Sequence, residues 1–395
     1  MAGIGILMSI TESPTFCPAP WTSINIDQTG RVSPCMHCLS SVGNIKHSTV
    51  QKVINGPVMK DIRLHMSQGK WHSACALCKQ SEEASGVSAR TVRIVGTETI
   101  EAINQDIDHY ELQHVVINWS NLCNLSCTYC NPDASTVWQS VKKIPINHVK
   151  NEHADLIELA RQHGHQVQGL TLGGGEPLLQ KGLVDFLQCL VPQQVRVMVT
   201  TNLSMDLSTN AVYQELRNWP NVEWQISFDN CTKEKFEYVR DRASWQKFEQ
   251  NIKLMQHDGQ FITAHPAYSI YCALDLVEYY EYCEANQLSV FWCELTHPWD
   301  LDIRRLTKPI RDLAIAEIDQ VIERWGTTGI LNASGLERYR ANLIDPTYLT
   351  NFESYRANPI RFSQQVEKEL GKTHTFKELW PELTNLIEKY HYATK

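Results

Sequence analysis

The chain has 395 residues, a net charge of -8, 43% hydrophobic and 20% charged residues, and thirteen cysteines. That length allows about two or three units of ordinary size, and the composition is globular rather than disordered. The negative balance argues against broad capture of nucleic acid, and no apolar run nears the roughly 20 residues of a membrane span. Met1 to Ile10 is too short for a secretory signal and lacks its basic start, so the expected location is the cytoplasm.

Residues 1–90 are rich in cysteine, and Ser23 to Asp27 alternates in strand fashion. Asp27 to Gly30 then makes a turn into Arg31–Pro34, closing a hairpin. A helix is expected over Gly56–Gln68, ended by Gly69. Residues 91–112 form a connecting segment. From residue 113 the pattern changes. Strands are expected at His114–Trp119, Val167–Leu172, Val195–Thr200, Val222–Phe228, Phe261–Cys272 and Leu288–Leu295. Helices fall between them, at Asn147–His163, Leu178–Leu190, Asn210–Arg217, Trp245–His257 and Asp275–Ala285. Such alternation implies right-handed βαβ units and a parallel sheet, here an α/β partial barrel over 113–305 with its chemistry at the C-terminal strand ends. Residues 306–395 have only helical character. Trp380–Leu383 within them is expected to pack rather than to recognise a partner.

In a reducing compartment, grouped cysteines point to metal ligands rather than disulfides. The first such group is Cys123-Asn-Leu-Ser-Cys127-Thr-Tyr-Cys130, directly after the first barrel strand. Three thiolates hold three irons of a cubane and leave the fourth iron open to an incoming ligand, whereas electron-transfer clusters use four cysteines. A zinc site lacks a well-spaced fourth ligand nearby.

This CxxxCxxC, with an aromatic before its last cysteine, resembles the radical SAM superfamily. The resemblance extends over about residues 113–300. It implies a 4Fe–4S cluster on Cys123, Cys127 and Cys130, and S-adenosylmethionine (SAM) with Tyr129 near its adenine. Gly174, Gly175, Glu176 and Pro177 follow the second strand and match the family's GGEP motif, in which the glutamate accepts from the SAM amino group. Thr201 and Asn202 end the third strand. Ser227 and Asp229 end the fourth, in the position of contacts to the ribose or the methionine carboxylate side. Arg240 resembles the family's carboxylate-binding arginine.

The second group is Cys17, Gly30 and Cys35, followed later by Cys75-x-x-Cys78. It resembles the auxiliary 4Fe–4S domains called twitch and SPASM, in the shorter twitch form and placed ahead of the barrel rather than after it. The resemblance implies Cys17, Cys35, Cys75 and Cys78 as ligands, with Cys38 spare. By spacing alone, Cys35-x-x-Cys38 with Cys75-x-x-Cys78 is also a tetrathiolate zinc pattern.

The superfamily resemblance implies an external one-electron reductant, such as flavodoxin or ferredoxin. It implies cleavage of SAM to methionine and a 5′-deoxyadenosyl radical, and hydrogen abstraction from a substrate, expected to be a peptide or protein side chain. A small alcohol or sugar dehydrogenase is the alternative. A non-catalytic iron–sulfur carrier or scaffold is the reading from another class; it leaves the open iron and Gly174–Pro177 unexplained. In Phe291-Trp-Cys293-Glu294-Leu-Thr-His297, Cys293 is a candidate hydrogen-atom donor and Glu294 or His297 a candidate base. Cys272 shares that ambiguity. Cys189, Cys231 and Cys283 read as small buried hydrophobes.

Overall fold

The computed structural model describes residues 14–86, 88–91, 106–145, 153–295, 297–326, 329, 331, 333–347 and 355–392. Met1–Ile10, most of the connecting segment and the start of the helix expected at Asn147 lie outside them. The chain divides into two compact units. Met1–Leu122, His148–Val199 and Ala211–Val222 form the first; Cys123–Asn147, Thr200–Asn210 and Glu223–Lys395 form the second.

In the first unit, β1 (Ser23–Ile26) and β2 (Arg31–Ser33) form the expected antiparallel hairpin. Asp27 organises its turn, accepting at Oδ1 from the Thr29 amide at 2.8 Å and the Arg31 amide at 3.0 Å. Gly30 sits at φ 80°, where a side chain would be strained. β3 (Gly43–Asn44) pairs with β2. The hairpin is not a separate body. β1 also runs parallel to β4 (His114–Asn118), with Ser23 opposite His114 and Ile26 opposite Ile117. β4 continues in parallel to β5 (Gly169–Gly173), and β5 to β6 (Arg196–Thr201). Ile24, Ile117, Val197 and Val199 are fully buried; each such side chain contributes roughly 1.5–3 kcal/mol through its removal from water. The helix expected over Leu178–Leu190 is shorter, a turn at Pro177–Leu179 and a helix at Leu183–Leu187.

In the second unit, β7 (Val222–Ile226) pairs in parallel with β8 (Phe261–Ala264), from Glu223 opposite Phe261 to Ile226 opposite Ala264. β8 pairs in the same sense with β10 (Ser289–Val290). The single strand expected at Phe261–Cys272 is broken. Pro266 has no amide hydrogen for a ladder, and the chain resumes as β9 (Ala267–Tyr268), paired with β11 (Cys293–Glu294). The helices Trp245–His257 and Leu276–Ala285 fall where their periodicity placed them. The end of the chain is helical, with helices at Lys308–Trp325, Ser334–Ile344 and Pro359–Leu370. Trp380 is buried against Tyr238 and Tyr271, with ring centroids 5.4 and 5.3 Å away. Among the described residues no helix is long and apolar enough to cross a membrane.

Candidate functional site

The second unit holds the Cys123–Cys130 loop, braced from several sides. The Ser135 hydroxyl donates to the Leu125 carbonyl at 2.7 Å, and the Trp138 indole donates to the Cys127 carbonyl at 2.9 Å. The amides of Ser126 and Thr128 donate to the carbonyls of Asp241 and Val239 at 3.2 and 2.9 Å. Asp241 is itself held by Lys372, 2.7 Å away. The helical C-terminal region therefore reaches the segment that braces the cysteine loop through the Lys372–Asp241 salt bridge.

Sulfur contacts follow from this bracing. The Asn202 amide nitrogen lies 3.8 Å from Cys123 Sγ, and an Arg240 guanidinium nitrogen lies 3.9 Å from Cys127 Sγ. Burial pushes the Cys127 thiol up, while Arg240 pulls it back. Burial, aided by Cys127, pushes the Cys130 thiol up to about 12. Such thiols stay protonated until iron displaces the proton.

Arg240 donates from Nε to Asp229 at 2.8 Å, and the Tyr129 hydroxyl donates to the same carboxylate at 3.0 Å. The other carboxylate oxygen accepts from the Ala267 amide at 2.9 Å. The Arg240 guanidinium also stands over the Tyr129 ring, 5.2 Å from its centre. Burial works against the Arg240 charge, but Asp229, Tyr129 and Cys127 outweigh it and hold the group protonated. A SAM contact by Asp229, Arg240 or Tyr129 must therefore share groups with this network. The Ser227 amide donates to the Thr201 carbonyl at 2.8 Å, which sets the two strand ends side by side.

In the first unit, the glycine turn packs on the chain leading to Cys123. The Gly175 amide donates to the Ser120 carbonyl and the Glu176 amide to the Leu122 carbonyl, both at 2.8 Å. A Cβ on Gly175 would lie 2.4 Å from the Leu122 oxygen, and one on Gly174 would lie 2.7 Å from the Ser120 oxygen. Gly174 also has φ 107°. Sequence reasoning gave these glycines to a ligand; backbone approach to residues 120–122 requires them as well. Glu176 is fully buried and caps the Pro177 turn by accepting from the Leu178 amide at 3.0 Å. Between the gripped carbonyls lies Asn121, buried, with no hydrogen-bond partner for either side-chain polar atom. An orphaned buried amide costs about 1–3 kcal/mol, and a bound polar group would relieve it. A lone Asn gave no signal in the sequence.

The first unit also gathers Cys17, Cys35, Cys38, Cys75 and Cys78 around one cavity. Cys38, left spare by the sequence pattern, is among them. Burial pushes its thiol up to about 11, opposed by its bond to the Ser40 carbonyl and aided by Cys35 and Cys78. Cys75 is held in place through its neighbours. His72 accepts at Nδ1 from the Ala74 amide at 3.1 Å, and its Nε2 lies 3.1 Å from Asp61. An accepting Nδ1 puts the proton of the neutral ring on Nε2, donated to Asp61. Neither His72 nor Asp61 stood out in the sequence.

Around the last strand, Cys293 is exposed and within electrostatic reach of Asp229 and Arg240. Glu294 is engaged by Arg304, with Arg338 at 3.8 Å. Cys272 is buried, its thiol 3.4 Å from the Ala267 carbonyl. His297 is exposed, its ring tilted 35° to that of Trp299 with centroids 5.2 Å apart. His265, absent from the sequence expectations, is nearer the network. Its Nδ1 faces the Phe291 carbonyl at 2.9 Å and so carries hydrogen, leaving Nε2 as an acceptor. Burial lowers its pKa, as does Arg240.

Comparison with known proteins fits these donor sets. Residues 117–265 match the radical SAM superfamily. The chain thus carries a radical SAM domain. Residues 17–79 match SPASM, an iron–sulfur cluster-binding domain, so the auxiliary domain precedes the radical SAM domain. A GTP 3′,8-cyclase of Listeria welshimeri is 27% identical over 150 residues, 38% of this chain and 43% of that protein. A 7-carboxy-7-deazaguanine synthase of Clostridium acetobutylicum is 30% identical over 115 residues, 29% of this chain and 47% of that protein. The chain thus spans less than half the length of these curated relatives. Streptococcus suis SuiB bound to precursor peptide SuiA superposes with a TM-score of 0.43 at 12% identity, covering 76% of this chain and 69% of that one. The cofactors are a 4Fe–4S cluster with SAM for the radical SAM domain and iron–sulfur for the SPASM domain. Three thiols on one short loop fit the first, and five thiols around one cavity fit the second.

Proposed function

We propose that the chain is an enzyme that cleaves SAM reductively and abstracts hydrogen from a peptide or protein side chain. The observation that carries this reading is the buried Asp229–Arg240 pair, with Arg240 beside Cys127 and Tyr129 bonded to Asp229. It gives a fixed cation to a loop whose CxxxCxxC motif has three cysteines. When bound there, the cluster supplies the electron that breaks the sulfonium bond of SAM. The chain's own residues position and shield. Cys123, Cys127 and Cys130 would hold the metal, and Asn202 and Arg240 direct N–H groups at the Cys123 and Cys127 sulfurs. The resemblance supports Gly174, Gly175, Glu176 and Pro177 as SAM contacts offered by the first unit, where Asn121 is orphaned, and Tyr129, Thr201, Asn202, Ser227, Asp229 and Arg240 as those offered by the second.

A peptide substrate is supported by the open groove lined by exposed Phe291 with Trp292, Arg338 and Tyr339, adjoining Cys293 in the chain. Cys17, Cys35, Cys75 and Cys78 are proposed as the ligands of the auxiliary cluster. The domains are proposed as 1–90 auxiliary, 91–112 connecting, 113–305 radical SAM and 306–395 helical. A low-potential one-electron donor is the proposed partner, and the cytoplasm the proposed location.

Anaerobic reduced protein incubated with SAM should release 5′-deoxyadenosine and methionine in equal amounts. No 5′-deoxyadenosine from protein holding about eight irons per chain would leave an electron carrier instead. Deuterium transfer into 5′-deoxyadenosine from a labelled small metabolite, and none from candidate peptides, would move the substrate to the small-molecule class.

A further inference from the structure

The auxiliary cavity contains a cation that no cysteine pattern predicts. Arg90 lines the same cavity as the five cysteines and is itself buried. Three contacts fix its guanidinium. Nε and a terminal nitrogen donate to the two oxygens of Glu82 at 2.8 and 2.5 Å, and the other terminal nitrogen donates to the Phe16 carbonyl at 2.7 Å. Phe16 precedes Cys17, so this last bond also ties the cation to a ligand segment. The guanidinium stands over the Trp71 ring, 5.3 Å from its centre, and Trp71 lines the cavity too. Glu82 lies behind, outside the lining, held in turn by the Ser88 hydroxyl at 2.6 Å. Arg90 is within electrostatic reach of Cys17 and Cys78.

Burial of charge is costly unless it is paired, and Glu82 supplies the pair here. The pairing is one-sided: Arg90 lines the cavity and Glu82 does not. An iron–sulfur cluster bound by four thiolates is anionic and gains one more negative charge on reduction. A fixed cation at its wall, in a low-dielectric setting, favours the reduced state.

We propose that Arg90 is a positioning residue for the auxiliary cluster's electron affinity, and that Glu82 sets how much of its charge the cluster feels. The inference rests on the reading of this cavity as a cluster site. Two variants then act in opposite directions. Arg90→Gln removes the cation and makes the cluster harder to reduce. Glu82→Gln removes the counter-charge, leaves the cation less compensated and makes the cluster easier to reduce. Arg90→Lys keeps the charge and stays near the parent value.

The test uses the full chain with Cys123, Cys127 and Cys130 replaced by alanine, so that only the auxiliary cluster remains. Iron, sulfide and zinc are measured first, then the midpoint potential by redox titration with EPR detection. The expected result is about a tenfold change in the reduction equilibrium in each direction, which is 59 mV for one electron. Unmoved midpoints, or a shift of the same sign in Arg90→Gln and Glu82→Gln, with iron intact, overturn the inference while leaving the cluster reading in place. Should Arg90→Gln fail to hold iron, the Glu82→Gln and Arg90→Lys arms still decide it: an unmoved Glu82→Gln midpoint overturns it. Zinc without sulfide in the parent chain overturns the cluster reading and the inference with it.

Discussion

Arg240 and Asp229 form a buried ion pair, Nε to carboxylate at 2.8 Å, eleven positions apart in the chain. Asp229 has no exposed side-chain surface, and Arg240 has 9%. The pair is also the link between Cys127, Tyr129 and the Ala267 amide. Removing one partner leaves an uncompensated buried charge, so Arg240→Met should cost about 3–5 kcal/mol. The double change Arg240→Met with Asp229→Asn should cost less than the sum of the two single changes. Denaturant unfolding of the four proteins checks this; additive losses would mean that the pair is not coupled.

Cys38 and Cys75 line one cavity but should not be equivalent. Cys38 has its thiol on the Ser40 carbonyl at 3.2 Å, whereas Cys75 is fixed by the His72-capped turn. Cys38→Ala should keep about eight irons per chain, and Cys75→Ala should fall to about four. Iron and sulfide assay after anaerobic reconstitution decides between them. Loss of iron on removal of Cys38 would make it a ligand and displace one of the proposed four.

Gly175→Ala places a methyl group 2.4 Å from the Leu122 oxygen, one residue before Cys123. Backbone on both sides prevents easy relief. SAM cleavage should fall more than tenfold, and the loss should appear in SAM affinity as well as in rate. Alanine at Gly86 meets no neighbour within 4 Å, although its φ of 74° carries a backbone cost, and serves as the control in the same turnover assay.

Cys293 and Cys272 separate cleanly. Cys272 is buried and bonded to the Ala267 carbonyl, while Cys293 is exposed. If Cys293 returns hydrogen to a substrate radical, Cys293→Ala should still form 5′-deoxyadenosine but lose modified product by at least about tenfold. Cys272→Ala should change stability by about 1 kcal/mol or more and leave the product ratio alone. Mass spectrometry of the product in deuterated water reads the first effect, and thermal unfolding the second.

Much of the chemistry was legible in the chain because it is local. Three thiols within eight positions are close in any fold, and a glycine-rich turn after an apolar strand declares itself by composition. The strand and helix alternation after residue 113 was legible for the same reason: burial of alternate strand residues and of one helix stripe writes a period into the sequence. The break in the strand at Pro266 was also present in the sequence, since proline lacks the ladder donor, but a long apolar run masked it.

Other features depended on segments far apart in sequence, and no local period records those. The parallel pairing of Ser23–Ile26 with His114–Ile117 draws the cysteine-rich hairpin into the sheet. Folding brings Arg90 and Cys38 to one cavity, Asn202 to Cys123, and Lys372 to the segment that braces the cysteine loop. The sequence by itself determined which atoms could bind iron, because ligand chemistry resides in residue type and short spacing. Only the tertiary structure decided which charges and donors surround those atoms, because buried ion pairs form where packing brings distant side chains together and excludes water.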